Sequence, residues 1–597
     1  MRRYFSLLLG LLVVVAWTLP LQAQDATLIP NPKVLTQDQF PDGLGTPGGS
    51  VTIDNVDNPR TFNPIIQFES SSDAVNRHLH AALLELGSQD PNALAEAFEV
   101  SSDNLSVRLI LREGLKFSDG EPLTADDVLF TFNDVVFNPD VVSRKTQWLI
   151  NGQFPTVVAE DPLTVTFTTA VPFPPILTNL ALQEILPKHK LAQFVHKLNP
   201  DVPAGTFNEA WNIGTPVEEI VGAGPFRLAS FVADQQAVLE RNPFYWKVDP
   251  EGTRLPYLDQ IILPVVSDDN VRLLRFVNEE TDIYGPSPED LPVLQQRTQQ
   301  GIRVLVAPQA GTRGDNFFTF NQDAADPDLR QLFHDVRFRQ AMSHALDRQT
   351  IIDIFQNGLA EPRFGPGMSA AFFFGVQDDL NFPRFDTDLD KAASLLDDLD
   401  LPDSDGDGTR EFGASYPNPG KPVAFELIVP EGSRVPISEA DFWAQDLATI
   451  GVEVNLNPIS FNTLVGRVSG SRPPDFEAVR ISIGGGGDPN LAADVYASQG
   501  PLHLYKFSDA EGTDVPDYQR EVDDLFARQA VSTDANERFQ IVAQLQTVLA
   551  ENLPLIWISN GQGLLAFRED RLGNFVGISL DATIVNSELV FRRDLAQ

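Results

Sequence analysis

Residues 105 to 137, LSVRLILREGLKFSDGEPLTADDVLFTFNDVVF, constrain the fold of this chain more than any other stretch. Val107, Leu109 and Leu111 fall on one face of an alternating run, and Arg108, Ile110 and Arg112 on the other, which is the period of a strand. Asp119-Gly120 then makes a turn. At Thr124 the pattern changes. A threonine hydroxyl can accept from the N–H groups left open at a helix start, and Asp126 and Asp127 place negative charge at the positive end of the helix dipole. Val128, Phe132 and Val135 follow at helical spacing as an apolar stripe. The segment predicts a strand, a turn and a capped helix.

The chain has 597 residues, too many for one hydrophobic core, so two or more domains are expected. It carries 83 acidic and 43 basic residues, a formal charge of −40. A surface so negative repels phosphate backbones and anionic lipid, which argues against nucleic acid as a partner. It suits a monomeric carrier of cationic or neutral ligands, or serves solubility alone. There is no cysteine, so thiolate metal sites, iron–sulfur clusters and thiol nucleophiles are excluded. Residues 1–23 read as a secretory signal. Arg2 and Arg3 are its charged start, Leu7 to Trp17 its apolar run, and Leu21-Gln22-Ala23 its cleavage point. The competing reading is an uncleaved anchor, for which the apolar run is short. Residues 24–47, rich in Pro, Gly, Asp and Gln, read as a mobile leader.

Strand and helix signals alternate through the rest. Ser50 to Ile53 is a strand, and residues 73–86 carry Val75, Leu79, Leu83 and Leu86 at helical spacing. Gly222-Ala223-Gly224-Pro225-Phe226 lacks the third glycine of a dinucleotide loop, so its glycines are expected to admit a close backbone approach. Glu240-Arg241-Asn242-Pro243-Phe244-Tyr245-Trp246 follows, then the strand Gln260 to Pro264 and a helix from Asp268. Phe317 to Asn321 is a strand, after which Asp335 and Asp347 cap successive helices in HDVRFRQAMSHALDRQTII. Near the end, two helices lead through Pro554 into the strand Leu555 to Ile558. Such alternation argues for α/β layers.

LREGLKFSDGEPLTADDVLFTF, GAGPFRL, ERNPFYW and the Val336-Arg337, Arg339-Gln340-Ala341 and Asp347 set occur in an order that resembles the extracytoplasmic solute-binding proteins of ABC importers, in their large peptide-binding family (family 5). The resemblance covers nearly all of residues 48 to 597. It implies a periplasmic-binding-protein-like α/β fold: two lobes closing on a cleft by a two-strand hinge, plus an extra third domain. Domain I would comprise 48–75, 222–312 and 555–597, domain II 76–221, and domain III 313–554. The implied function is capture of short peptides in the periplasm for an inner-membrane permease, with no enzymatic activity and no cofactor. Oligosaccharides and metal chelates are alternatives within the same fold. With no cysteine for lipid attachment, a freely diffusing periplasmic protein is expected.

In peptide-binding members the Asp of a Gly-Asp-Pro pairs with the ligand ammonium. Here that position is Asp488, in Arg480-Ile481-Ser482-Ile483-Gly484-Gly485-Gly486-Gly487-Asp488-Pro489-Asn490. The aromatic residue common before this loop is absent. Gly487 and Asn490 are grouped with Asp488 as ligand-binding candidates, the alternative being that the loop is only a flexible turn. Ser70, Asn321 and Trp443 are further cleft candidates, Trp443 either stacking on ligand or packing in the core. Asp403, Asp405 and Asp407 begin like a calcium loop, D-x-D-x-D-G, but position 12 is Ala414, so the alternative is a solvated turn. A rival class, a secreted hydrolase, needs two carboxyls facing one cleft.

Overall fold

The computed structural model describes residues 31–85, 92–307, 315–367, 382–470, 473–484, 488–506, 515–577 and 586–595. The signal read at residues 1–23 lies outside them.

Two sheets build the first domain. Ser50–Thr52 runs parallel to Gln260–Pro264, which pairs antiparallel with Gln236–Arg241 and through it with Phe226–Val232. Gly563–Arg568 lies between Ile283–Tyr284 and Ile302–Ala307, antiparallel to both. The second domain holds a four-stranded antiparallel sheet, Ala95–Val100, Ser106–Leu111, Thr164–Thr168 and Thr156–Asp161 in spatial order. Val107, Leu109 and Leu111 are its buried face, as the alternation requires. Thr124 caps the helix Ala125–Leu129, its Oγ1 accepting from the Asp126 N–H at 3.3 Å while the Asp127 carboxylate accepts from the Thr124 N–H at 2.9 Å. The helix runs on into a π-wound stretch, Phe130–Val136, and the stripe Val128, Phe132 and Val135 is fully buried.

These two domains share one core. A single buried cluster runs from Val51 and Ile261 through Val75 and Phe226 to Leu109, Phe132 and Trp148. Glycine welds the seam: a side chain on Gly224 would meet the His78 carbonyl oxygen at 2.6 Å, and the Gly224 N–H donates to the Leu79 carbonyl at 2.9 Å.

The third domain is a five-stranded sheet in the order Glu453–Ile459, Ala424–Pro430, Ala478–Ile483, Asp315–Phe320, Leu555–Trp557. Its successive residues serve opposite faces. Phe318 and Phe320 pack with Trp443 and Leu427 on one side, and Phe317 with Val479, Leu545 and Trp557 on the other. Asp335 and Asp347 cap helices Val336–His344 and Arg348–Phe355 as read from the sequence.

Three expectations change. The leader is not loose over residues 31–47: Lys33–Val34 pairs in parallel with Lys247–Val248, and Leu35 and Phe40 are buried. The helix expected at 73–86 spans Ser70–Leu79, because His80 turns extended and Ala82 bridges Glu184. The strand Leu555–Trp557 pairs with Phe317–Thr319, so it belongs with the third domain, and the chain re-enters the first domain's sheet only at Gly563.

Candidate functional site

The three domains enclose a cavity of 1810 Å³. That is above the roughly 300–1,000 Å³ typical of single small ligands. Its walls come from the turn after the first strand (Gln67, Phe68, Ser70), from the second domain (Arg144, Gln147, Asn179, Glu184), and from the third (Asp315, Arg480, Ser482, Gly484, Asp488, Tyr496). Aliphatic side chains form the largest share of the lining, with amides, hydroxyls and a few aromatic rings interspersed; among the described residues ten carboxylate side chains stand against five cationic ones.

The lobes meet directly at the rim. Asp494, on Ala493–Tyr496 of the third domain, accepts from Arg144 Nη1 at 3.0 Å, Thr146 Oγ1 at 2.7 Å and Gln147 Nε2 at 2.7 Å, all from the second domain. Burial raises the Asp494 carboxyl above the ordinary range, and Arg144, Thr146 and Gln147 oppose that rise. Asn462 of the third domain donates from its backbone to Asp57 at 3.0 Å, and Arg434 reaches Asp290 at 2.8 Å. Gly432, at φ +78°, abuts the first domain so closely that a side chain there would meet the Ser267 carbonyl oxygen at 2.5 Å. These contacts define a closed form.

Of the residues singled out from sequence, Ser70 begins its helix and lines the cavity. Asp488 also lines it, but both of its oxygens are held by Arg538, at 2.8 Å and 2.5 Å, and one caps the following turn through the Asn490 N–H. Asn490 is buried behind the wall, donating to the Gln147 carbonyl at 2.8 Å and accepting from Gln529 at 3.1 Å, so it ties domains rather than facing the cavity. Asn321 is likewise a structural residue: fully buried, it donates to the carbonyls of Pro474 and Phe476. Trp443 is core, at 0% exposure, 4.2 Å from the Phe318 ring and donating to the Met342 carbonyl. Gly487 lies outside the described residues.

Four residues of weight had no local signal. Arg480, on the strand Ala478–Ile483, is held by buried Glu439, with Nη2 to Oε2 at 2.5 Å. Asp315, on the neighbouring strand, accepts from Tyr496 at 2.9 Å, and burial raises its carboxyl. The Arg144 guanidinium lies 5.0 Å above Phe68, and Glu184 sits on the second domain's wall. Their positions depend on chain crossings that no short pattern encodes.

Away from the cavity, Asp403, Asp405 and Asp407 converge with Glu411, their carboxylate oxygens within 4.8 Å of one another. Carboxylate oxygens are the ligand type that a hard cation takes. The same oxygens accept from the loop's own N–H groups, Gly406 and Gly408 to Asp403 and Ser404 to Glu411.

Residues 91–499 match the model of the bacterial extracellular solute-binding proteins, family 5 Middle. The chain is 28% identical over 540 residues to a probable ABC transporter-binding protein of Deinococcus radiodurans, covering 86% of this chain and 87% of that one. Its fold is similar to the Bacillus subtilis oligopeptide-binding protein AppA in complex with a nonapeptide, with a TM-score of 0.76, 22% identity and coverage of 92% and 99%. It is also similar to the Agrobacterium fabrum periplasmic binding protein MelB in complex with stachyose, with a TM-score of 0.81, 23% identity and coverage of 96% and 88%.

Proposed function

The chain belongs to the bacterial extracellular solute-binding proteins of family 5, and from that premise we propose that it captures short peptides in the periplasm and delivers them to an inner-membrane permease. It is the substrate-binding component of an ABC importer and not an enzyme, which sets the hydrolase reading aside. The observation that carries the ligand class is the cavity: 1810 Å³, bounded by all three domains and lined by aliphatic side chains among which amide and hydroxyl groups are interspersed. A space of that size takes an oligomer, and such groups can pair with a peptide backbone while leaving room for varied side chains. Periplasmic residence rests on the secretory pattern of residues 1–23. Among the described residues no helix is long and apolar enough to cross a membrane.

Capture works by differential affinity. Ligand in the cavity touches both lobes only when they are closed, so its binding energy shifts the population toward that form. The closed form then presents one composite surface to the permease.

An oligosaccharide is the second reading. It is favoured by Asp488, whose two oxygens are already satisfied by Arg538 and so do not await an ammonium group. The experiment is native mass spectrometry of the purified protein, followed by calorimetry with panels of short peptides and of oligosaccharides. Peptide binding supports the proposal. Binding of oligosaccharides with no response to any peptide replaces it with the second reading.

A further inference from the structure

Among the described residues, every Arg and Lys on the cavity wall already has a carboxylate. Arg77 pairs with Asp73, Arg144 with Asp494, Arg272 with Asp269, Arg480 with Glu439, and Lys247 with both Glu85 and Glu588. The carboxylates are not so balanced. Asp488 has Arg538, Asp315 has Tyr496 and the Gly367 N–H, Asp57 has the Asn462 N–H, Glu69 has Ser72 and the Phe68 N–H, Asp234 has Asn58, and Glu431 is exposed to water. Glu184 has none of these: it forms no ion pair among the described residues. The backbone fixes its place, because Ala82 bridges Glu184 and the next residue, Ile185, donates to the Ala81 carbonyl at 3.0 Å.

A second group on the same wall is also unsatisfied. Asn179, on the helix Ile176–Leu182, is 2% exposed. Its Nδ2 donates to the Gln147 carbonyl at 2.8 Å, but its Oδ1 is buried with no donor. A buried acceptor left open costs about 1–3 kcal/mol, and an unpaired carboxylate in a closed cavity costs more. The carboxylate's cost is offset if the occupant brings N–H donors and positive charge.

We infer that Glu184 is the subsite for a cationic group of the ligand: an ammonium or guanidinium, from a free N-terminus or a basic side chain. Burial pushes the Glu184 carboxyl upward, with Arg77 and Arg144 opposing, as expected of an acid that lacks a paired cation of its own. This inference rests on the peptide reading and makes it narrower. It also gives the ammonium a place other than Asp488.

The test is calorimetry on the full-length mature protein and its Glu184→Gln and Glu184→Asp variants. The probes are a short peptide with a free N-terminus and a lysine, the same peptide acetylated with norleucine for lysine, and an oligosaccharide. Glu184→Gln is expected to weaken the cationic peptide by about ten- to a hundred-fold and to leave the neutral peptide nearly unchanged. Glu184→Asp keeps the charge and should retain part of the discrimination. Thermal melting of the ligand-free Gln variant at or above the native temperature shows that it folds and that the unpaired charge was a cost. Equal weakening of both peptides, or of neither, overturns the inference and leaves the peptide reading standing. Binding of the oligosaccharide with no peptide binding at all overturns both.

Discussion

Asp494 lies 3.0 Å from Arg144 across the junction of the second and third domains, and the two are unequally placed: the carboxylate is 1% exposed and the guanidinium side chain 42%. The acid is therefore the committed partner, desolvated only because the lobes are shut, while the arginine can return to water when they part. Opening strips Asp494 of Arg144, Thr146 and Gln147 at once, although it also rehydrates the carboxylate. The latch holds the closed form without making it irreversible.

Asp494→Asn removes the charge from that latch. Ligand affinity should fall by about ten-fold, most of it as faster dissociation, because the closed form loses charge-assisted hydrogen bonds of about 1–3 kcal/mol in total. Stopped-flow release of ligand reads this directly. An unchanged dissociation rate would show that the junction is incidental to capture.

Gly432→Ala should act on closure by a different route. The added methyl would meet the Ser267 carbonyl oxygen at 2.5 Å, and the backbone there, at φ +78°, disfavours any side chain. Weaker ligand binding with a scattering profile that remains expanded is the expected result. A variant that closes as the native protein does would contradict the placement of Gly432 at the lobe interface.

Acid should loosen the fold through two histidines on the cavity wall. Burial holds His78 down to about 3 and His80 down to about 4. In the unfolded chain each titrates near about 6.5, so below that pH the unfolded state binds the extra protons. Their contribution is complete above about 6.5 and is lost as pH falls toward about 4 and then about 3, at about 1.4 kcal/mol per pH unit for each residue. Glu184, Asp315 and Asp494, raised by burial, work in the opposite sense. A His80→Asn variant isolates the histidine share. Its melting temperature should fall less than the native protein's between about pH 7 and about pH 5, and an identical slope would contradict the assignment.

Much of the fold was legible in sequence because its determinants are local. Thr124, Asp335 and Asp347 announce helix starts through their own side chains, and Val107, Leu109 and Leu111 announce a buried strand face through spacing alone. The candidate site was legible only in part. Ser70 and Asp488 do reach the cavity, but sequence could not show that Arg538, fifty positions away, had claimed both oxygens of Asp488. Trp443 and Asn321 misled because an aromatic ring or an amide looks the same whether it will face ligand or core, and only the tertiary layers decide. Leu35 and Phe40 were hidden by a loop-like composition, although two buried apolar residues suffice to pin the segment.

Asp488→Asn should therefore behave as a stability variant. It removes the bidentate partner of Arg538, whose side chain is 9% exposed, and breaking such a pair costs up to about 3–5 kcal/mol. Chemical denaturation should show the loss, and peptides with free and acetylated N-termini should be affected alike. Selective weakening of free N-termini would instead return Asp488 to the ammonium role.

The central claim is that the lobes shut around an intact guest. Small-angle scattering of the mature protein, with and without the ligand identified by native mass spectrometry, tests it most directly. The account predicts a smaller radius of gyration on saturation and recovery of the ligand with its mass unchanged. A profile indifferent to saturating ligand, or recovery of cleaved product, would contradict it.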